Sequence, residues 1–344
     1  MSVTEKRKVV VTQHHFDGEP LAYLRARGLE VTLPSLPAGQ ADGDVPFETL
    51  LEWLEGASGW IVGHASVTRE LLAALPCLEV ISRRGVGYER IDTQAVRELG
   101  RVATIAAGAN DAAVADQAIG MMLALGRRFR ESQDSVMSGE LAIPLGTDLY
   151  RKTVGVVGLG RIGRSVIGRL RGFDCNVVVY SRSRDDRLAS RLGFQYASFP
   201  EVLQWADYVT VHVPLTDQTR FMIRDETISL MKDSAYLINT SRGGLVQDRD
   251  LLAALKAGRL AGAGLDVFCS EADPEYIDVT RELSAMPNVI ATPHSAASTR
   301  EGLNRTNLLA AQCIVSALCG GALPPGCTIA DGRPGRTRKM ETFK

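Results

Sequence analysis

The chain has 344 residues, 45% hydrophobic and 23% charged, with 39 Lys and Arg against 40 Asp and Glu for a formal charge of −1. That length carries two domains with ordinary cores, and the balanced charge gives no overall pull toward nucleic acid or an anionic membrane. The longest apolar run, around Ala118–Gly126, is far short of the roughly 20 residues a spanning helix needs, and the opening MSVTEKRKVV lacks the apolar core of a signal peptide. Six cysteines (77, 175, 269, 313, 319 and 327) make no CxxC pair and no Cys/His cluster with zinc spacing. They read as reduced thiols of a cytoplasmic protein without a metal.

Taken in order, KVVVTQ (Lys8–Gln13) is a short β-branched run and predicts a buried strand. PLAYLRARG (Pro20–Gly28) has a helical period and a glycine stop. GWIVG (Gly59–Gly63) reads as a strand, TRELLAALP (Thr68–Pro76) as a helix ended by proline, and LEVISRRG (Leu78–Gly85) as a strand. This alternation predicts a parallel sheet with helices on both faces. Asn110–Gly139 reads as one long helix with an Ala/Met/Leu face. A second alternating series starts at Lys152. Its strands are TVGVVG, NVVVYS, YVTVHV, AYLINTS, GAGLDVF and NVIATP, with helices including RIGRSVIGRL and DRDLLAALKAG. Six strands joined by crossovers match one doubly wound dinucleotide fold. The fold class is therefore α/β, with two doubly wound parallel sheets, the larger one dinucleotide-binding. Leu303–Gly321 is a last amphipathic helix, and from Pro324 the Pro/Gly-rich, then basic, tail predicts disorder.

GLGRIG (Gly158–Gly163) follows a strand and opens a helix. Its glycines permit a tight turn, close approach of a pyrophosphate to backbone N–H groups, and helix–sheet packing. The helix N-terminus then faces the anion. A carboxylate for the adenosine ribose is expected about 20 residues on, where the sequence has Ser181, then Arg182-Ser183-Arg184. Ser181 removes the charge that would repel a 2′-phosphate, and Arg182 and Arg184 offer guanidinium forks to it. NADP is thus expected in preference to NAD. The alternative is that the arginines are a solvated turn and Asp185 serves as the ribose ligand.

Arg242, in NTSRGG, sits just past a predicted strand, and Glu271 and His294 follow later strand ends on the same edge, where doubly wound sheets bind ligands. Singly they read as a turn salt bridge, loop surface and a cap after Pro293. Jointly they suit hydride transfer to a 2-keto acid. Arg242 would bind the carboxylate and polarise the keto oxygen. His294 would donate a proton to the developing alkoxide, and Glu271 would orient His294 and favour its protonated form.

With RRGVGYERID (Arg83–Asp92), GLGRIG, ADYVTVHVPLTDQTR (Ala206–Arg220), NTSRGGLV (Asn239–Val246), GAGLDVFCSE and TPHSAAST, the chain resembles the D-isomer-specific 2-hydroxyacid dehydrogenases over roughly Lys8 to Leu323. The nearest branch is that of glyoxylate, hydroxypyruvate and 2-ketogluconate reductases. The resemblance implies that Arg242, Glu271 and His294 are the catalytic set. It implies a substrate carboxylate on the backbone N–H groups of Val86 and Gly87, beside Arg84, which would meet a polar substrate tail. It places His212, Val213 and Pro214 near the adenine, Asp266 on the nicotinamide carboxamide, and Val114 beside the nicotinamide ring. Gly158, Gly160, Arg161, Ile162, Gly163, Thr219, Thr240 and Ser241 would line the cofactor with Ser181, Arg182, Arg242 and His294. It implies a discontinuous substrate domain (1–107 and 303–326), a cofactor domain (108–302), a disordered tail (327–344) and a homodimer formed through the cofactor domain.

The departures narrow the chemistry. Members of the NAD type carry Asp where Ser181 stands. After LDVF the familiar EP is loosened to Glu271-Ala272-Asp273-Pro274. Glu271 argues against formate-oxidising members, which use Gln, and VGHASVT (Val62–Thr68) lacks the arginine of phosphoglycerate-oxidising ones. His14, His15 and His64 fall in loops after strands and read as surface histidines with no metal or acid partner in the sequence. The expected activity is NADP(H)-linked interconversion of a small 2-keto and 2-hydroxy acid. The alternatives are a phosphite-type dehydrogenase on the same scaffold and a dinucleotide-sensing transcriptional co-regulator.

Overall fold

The computed structural model describes residues 7–37 and 39–334. In chain order it opens with β1 (Lys8–Val11), α1 (Gly18–Arg25), β2 (Glu30–Thr32), α2 (Phe47–Leu54), β3 (Ala57–Val62), α3 (Arg69–Ala74), β4 (Val80–Arg83), α4 (Thr93–Glu98) and β5 (Val102–Ile105). Next come α5 (Asp111–Gly126), α6 (Phe129–Ser138), β6 (Thr153–Val157), α7 (Arg161–Leu170), β7 (Asn176–Tyr180), α8 (Asp186–Leu192), β8 (Gln195–Tyr196) and α9 (Phe199–Trp205). They are followed by β9 (Tyr208–Val211), α10 (Asp225–Ile228), β10 (Tyr236–Asn239), α11 (Asp248–Lys256), β11 (Gly262–Leu265), α12 (Ile277–Ala285) and β12 (Val289–Ala291). The chain closes with α13 (Arg300–Leu318) and β13 (Thr328–Asp331). These elements divide into two compact units, one made of the chain up to Asn110 and from Thr299 onward, the other of Asp111–Ser298.

The first unit holds a sheet of order β13-β5-β4-β3-β1-β2. Its strands are parallel except β13, which pairs antiparallel with β5. Val9, Val10 and Val11 are fully buried, as are Trp60 and Ile61. Such near-continuous apolar runs mark strands covered on both faces. Residues of α1 and α13 pack on one face and of α2, α3 and α4 on the other. Each fully buried Val, Leu or Ile stabilises the unit by about 1.5–3 kcal/mol.

The second unit holds an all-parallel sheet of order β12-β11-β10-β9-β6-β7-β8. β6 lies inside it, with β7 on one side and β9 on the other. The strand order reverses there, which opens a crevice beyond the carboxyl ends of the strands. α7 buries Val166, Ile167 and Leu170 against the sheet, as its apolar spacing requires. Both sheets are thus doubly wound, as the alternation in the sequence implies.

Three features differ from the sequence reading. The helix expected over 110–139 is broken into α5 and α6 by Arg128, whose backbone is left-handed (φ 52°). The Gly126 carbonyl accepts from the Thr147 amide at 2.7 Å, so returning chain takes an acceptor of the last turn. Arg128 in turn donates twice to Glu131, at 2.6 Å each. The tail expected to be disordered from 327 instead supplies β13, with Cys327 buried and the Gly332 amide bonded to the Arg101 carbonyl; its last part, 335–344, lies outside the described residues. Finally, the larger sheet gains β8, a two-residue edge strand.

Candidate active site

The glycine turn sits between β6 and α7. Gly158 has φ +106°, a conformation that L side chains rarely adopt, and a Cβ there would overlap the His212 carbonyl. A Cβ on Gly163 would overlap the Gly158 carbonyl, while one on Gly160 would meet only open space. The turn therefore leaves the first turn of α7 open, with Gly160, Arg161 and the half-buried Ile162 at its rim. The Gly158 amide donates to the Tyr180 carbonyl at 2.9 Å, which sets the end of β7 beside the turn.

Ser181 follows directly, half-buried, and Arg182 is exposed with no partner among the described residues. The neighbouring charges are otherwise engaged. Asp185 caps α8 by accepting from the Leu188 amide at 3.0 Å. The Arg184 guanidinium stands 5.7 Å from the centre of the Tyr196 ring.

Past β9, His212 is buried. Its Nε2 bonds Thr210 Oγ1 at 2.8 Å, and burial pushes its pKa down to about 4, so the ring is neutral at physiological pH. Val213 and Pro214 lead into a turn closed by Thr219, whose hydroxyl donates to the Pro214 carbonyl at 2.7 Å. Past β10, Asn239 braces the turn that carries Arg242. Its amide donates to the Arg242 carbonyl at 2.9 Å and its oxygen accepts from the Ser241 amide at 3.1 Å. Ser241 Oγ donates to the Val211 carbonyl at 2.7 Å, and Arg242 Nη1 to the Ser241 carbonyl at 2.7 Å. Thr240 Oγ1 and His212 Nδ1 are both buried without a hydrogen-bond partner among the described residues. Two orphaned polar atoms and an open glycine turn on one sheet edge fit a bound dinucleotide. Val114 is buried in the first turns of α5.

The catalytic candidates Glu271 and His294 meet directly: His294 Nδ1 donates to the Glu271 carboxylate at 2.7 Å. The other Glu271 oxygen accepts from the Phe268 amide at 2.9 Å. Burial pushes the Glu271 carboxyl up, but the bond and charge of His294, the Phe268 amide and the charge of Arg242 outweigh it and hold the group below its ordinary range. Arg242 is brought toward this loop by Gly243, whose Cα lies so close to Phe268 and Cys269 that a Cβ would overlap their backbone. His294 itself has φ 51°, an uncommon conformation for a residue with a side chain.

Asp266 explains how that conformation is held. It is fully enclosed; Oδ1 accepts from the Ser295 amide and the Thr292 hydroxyl, and Oδ2 from the Ala296 amide at 2.9 Å. These bonds tie down the 292–296 turn. Asn239 and Asp266 are therefore positioning residues. Asn239 went unnoticed in the sequence, although an Asn at a strand end before a turn is a known local hydrogen-bonding signal.

In the first unit, Arg84, Val86 and Gly87 lie in the turn after β4. Gly85 has φ +137°, and its carbonyl accepts from the Ala106 amide at 2.8 Å. Among the described residues, the amides of Val86 and Gly87 find no acceptor.

A glycine turn at the switch point of a doubly wound sheet, with an acid–base pair at the same edge, defines a nicotinamide-dinucleotide oxidoreductase. Comparison with known proteins agrees. Residues 119–296 match the family model of the D-isomer specific 2-hydroxyacid dehydrogenase NAD binding domain. The chain is 38% identical over 274 residues to a glyoxylate reductase of Thermococcus litoralis, covering 77% of this chain and 81% of that one. A protein of Thermus thermophilus superposes with a TM-score of 0.82 at 33% identity, covering 94% of this chain and 100% of that one. A D-lactate dehydrogenase of Aquifex aeolicus, complexed with NAD and lactic acid, gives 0.80 at 29% identity, covering 94% and 99%. The protein belongs to the D-isomer specific 2-hydroxyacid dehydrogenases and is an NAD(P)-dependent enzyme of that family.

Proposed function

We propose that the protein is an NADPH-preferring reductase of small 2-keto acids of the glyoxylate and hydroxypyruvate type, with Arg242, Glu271 and His294 as its catalytic residues. The observation that carries this reading is the Glu271–His294 pair, 2.7 Å apart at the carboxyl edge of the sheet, with Arg242 close enough for its charge to act on Glu271. Arg242 binds the substrate carboxylate and draws electron density from the keto oxygen. The bound dinucleotide supplies the hydride. His294 gives its Nε2 proton to the oxygen as the carbonyl becomes an alcohol, and Glu271, fixed on Nδ1, stabilises the charged ring before the transfer. Similarity to a glyoxylate reductase supports the substrate class.

The preference for NADPH rests on Ser181, Arg182 and Asp185. No carboxylate stands at the tip of β7 to repel a 2′-phosphate, Arg182 is unpartnered beside Ser181 among the described residues, and Asp185 is committed to capping α8. Gly158, Gly160, Arg161, Ile162 and Gly163 would line the pyrophosphate, and Val114, His212, Val213, Pro214, Thr219, Thr240 and Ser241 the remainder of the cofactor. In the first unit, the unclaimed amides of Val86 and Gly87 are suited to a carboxylate, and Arg84 to a polar tail.

A cytoplasmic setting is supported by Cys77 and Cys319, exposed thiols in no disulfide. A homodimer through the second unit is supported by its exposed apolar strip: Phe129, Val136, Met137, Leu141, Ile143 and Leu145 are all more than half exposed. Sedimentation velocity tests it, with a dimer mass expected and a monomer mass contradicting it. The function is tested by assaying glyoxylate, hydroxypyruvate and pyruvate with each cofactor. Faster turnover with NADPH is expected. Absence of any reduction would remove the proposal.

A further inference from the structure

Two loops of the second unit carry Arg242 and Glu271. One follows β10, holds Arg242 and makes a short turn over Gly243–Leu245. The other follows β11 and ends in a short turn over Cys269–Glu271. The two meet at Cys269. A Cβ on Gly243 would stand 2.1 Å from the Phe268 carbonyl and 2.7 Å from the Cys269 nitrogen, so only glycine permits this approach. Cys269 Sγ donates to the Val246 carbonyl at 3.3 Å. The Cys269 carbonyl accepts from the Ala272 and Asp273 amides at 3.1 and 3.0 Å, which closes the second loop just beyond Glu271.

A further join comes from a helix. Asp248 is the first residue of α11 and is buried, and its Oδ2 accepts from the Cys269 amide at 2.8 Å. α11 is rooted in the core of its unit through Leu251, Leu252 and Leu255. The bond therefore ties a loop to a rigid element. Phe268, the residue before Cys269, holds Glu271 twice. Its amide donates to the Glu271 carboxylate at 2.9 Å, and its carbonyl accepts from the Glu271 amide at 3.3 Å. Asp248 thus fixes the neighbour of the residue that fixes Glu271.

The chemistry of the two partners separates this contact from ordinary packing. Burial pushes the Cys269 thiol up to about 12, so it stays protonated and serves as a donor rather than a nucleophile. Burial also raises the Asp248 carboxyl to about 6, and the charge of Glu271 adds to the effect. At neutral pH Asp248 is then a buried charge that opposes folding, offset in part by the Cys269 amide and the N-terminus of α11. Groups that work against stability are found where a site needs their geometry.

We propose that Asp248 is a positioning residue for proton transfer: through the Cys269 amide it holds the 268–271 loop where Glu271 keeps its bond to His294 Nδ1. This rests on the reductase reading above and deepens it. Asp248 acts through the loop alone and exchanges no proton with the substrate.

The test compares Asp248→Ala, which removes the acceptor, with Asp248→Asn, which keeps one. In steady-state kinetics with the best 2-keto acid, kcat of Asp248→Ala should fall about 10–100-fold, the effect of misplacing a catalytic group by about 1 Å. KM for the keto acid and NADPH affinity should stay within a few-fold, because the turn that carries Arg242 is braced separately by Asn239 and Ser241. Asp248→Asn should recover most of the lost kcat. Alkylation with iodoacetamide, read as labelled peptides by mass spectrometry, follows the loop without turnover. Cys269 should become reactive in Asp248→Ala and stay protected in Asp248→Asn, with the buried Cys313 and Cys327 protected in both. Unchanged kcat in Asp248→Ala, an equal loss in the two variants, a Cys269 that stays protected, or labelling of Cys313 and Cys327 together with Cys269 would overturn the proposal. Selective labelling of Cys269 in a protein that reduces no 2-keto acid would leave the loop contact standing and remove the reductase reading.

Discussion

The Glu271 carboxylate holds His294 by Nδ1 at 2.7 Å, while the His294 backbone sits at φ 51° on a turn tied down by Asp266. The ring is thereby fixed in orientation and tautomer, and Nε2 remains for proton delivery. Because the Glu271 carboxyl is held below its ordinary range, its contribution to folding is complete above the unfolded-state value of about 4.3 and is lost only as pH falls through the lower folded value. Glu271→Gln should therefore lose stability at both pH 7 and pH 5, the margin closing only at more acidic pH. Its kcat should fall about 10–100-fold. Denaturant unfolding across this pH range and steady-state kinetics check both; a margin that vanishes by pH 5 contradicts the assigned pairing.

Cofactor choice turns on the corner after β7. Each guanidinium–phosphate contact contributes about 1.5–3 kcal/mol, so Ser181→Asp combined with Arg182→Ala should lower the NADPH/NADH ratio of kcat/KM by about 10²-fold. Equal kcat/KM for the two cofactors in the unaltered protein would sink this assignment.

Arg242→Lys keeps the charge and loses the planar fork. KM for the keto acid should rise and kcat should fall, each by about 10-fold, with NADPH affinity little changed. Fluorescence titration separates the cases: a variant that fails to bind NADPH makes Arg242 a cofactor or folding residue.

Asp248, at the start of α11, is buried and accepts from the Cys269 amide at 2.8 Å. Burial raises its carboxyl to about 6, and the nearby Glu271 adds to the effect. A carboxyl raised on folding binds its proton more tightly in the native state, so stability falls as pH climbs from about 4 to about 6 and stays reduced above. Asp248→Asn keeps an acceptor for Cys269 and removes the charge. It should stabilise the protein by on the order of 2–3 kcal/mol at pH 8 and by little at pH 4. Urea unfolding at the two pH values measures it; a destabilised variant at pH 8 would show that the charged form is favoured.

Much of this was legible in the sequence because the signals are local. Apolar runs such as VVV in β1 and VVVY in β7 mark doubly covered strands, and the chemistry of an open α/β sheet falls just past strand ends. That is why Arg242, Glu271 and His294 could be grouped before any geometry was known. What escaped depends on distant partners. The break before Arg128 is marked in sequence only by Gly126, which inside an apolar helical run is a weak signal, and it arises where Thr147 returns to the Gly126 carbonyl. β13 pairs with β5, more than 200 residues away, and four residues inside a Pro/Gly-rich tail carry no periodicity. The part Asp266 plays in holding the 292–296 turn depends on amides about 30 residues away, which the sequence does not bring together.

The central claim is that His294 delivers the proton in an NADPH-dependent reduction. The most direct measurement is the steady-state oxidation of NADPH by the unaltered protein and by His294→Ala, with the best 2-keto acid as acceptor and NADPH affinity measured in parallel. The account predicts that kcat falls by about 10²–10⁴ while NADPH binding stays within a few-fold. Turnover within a few-fold of the unaltered protein would contradict it and assign the proton to another group.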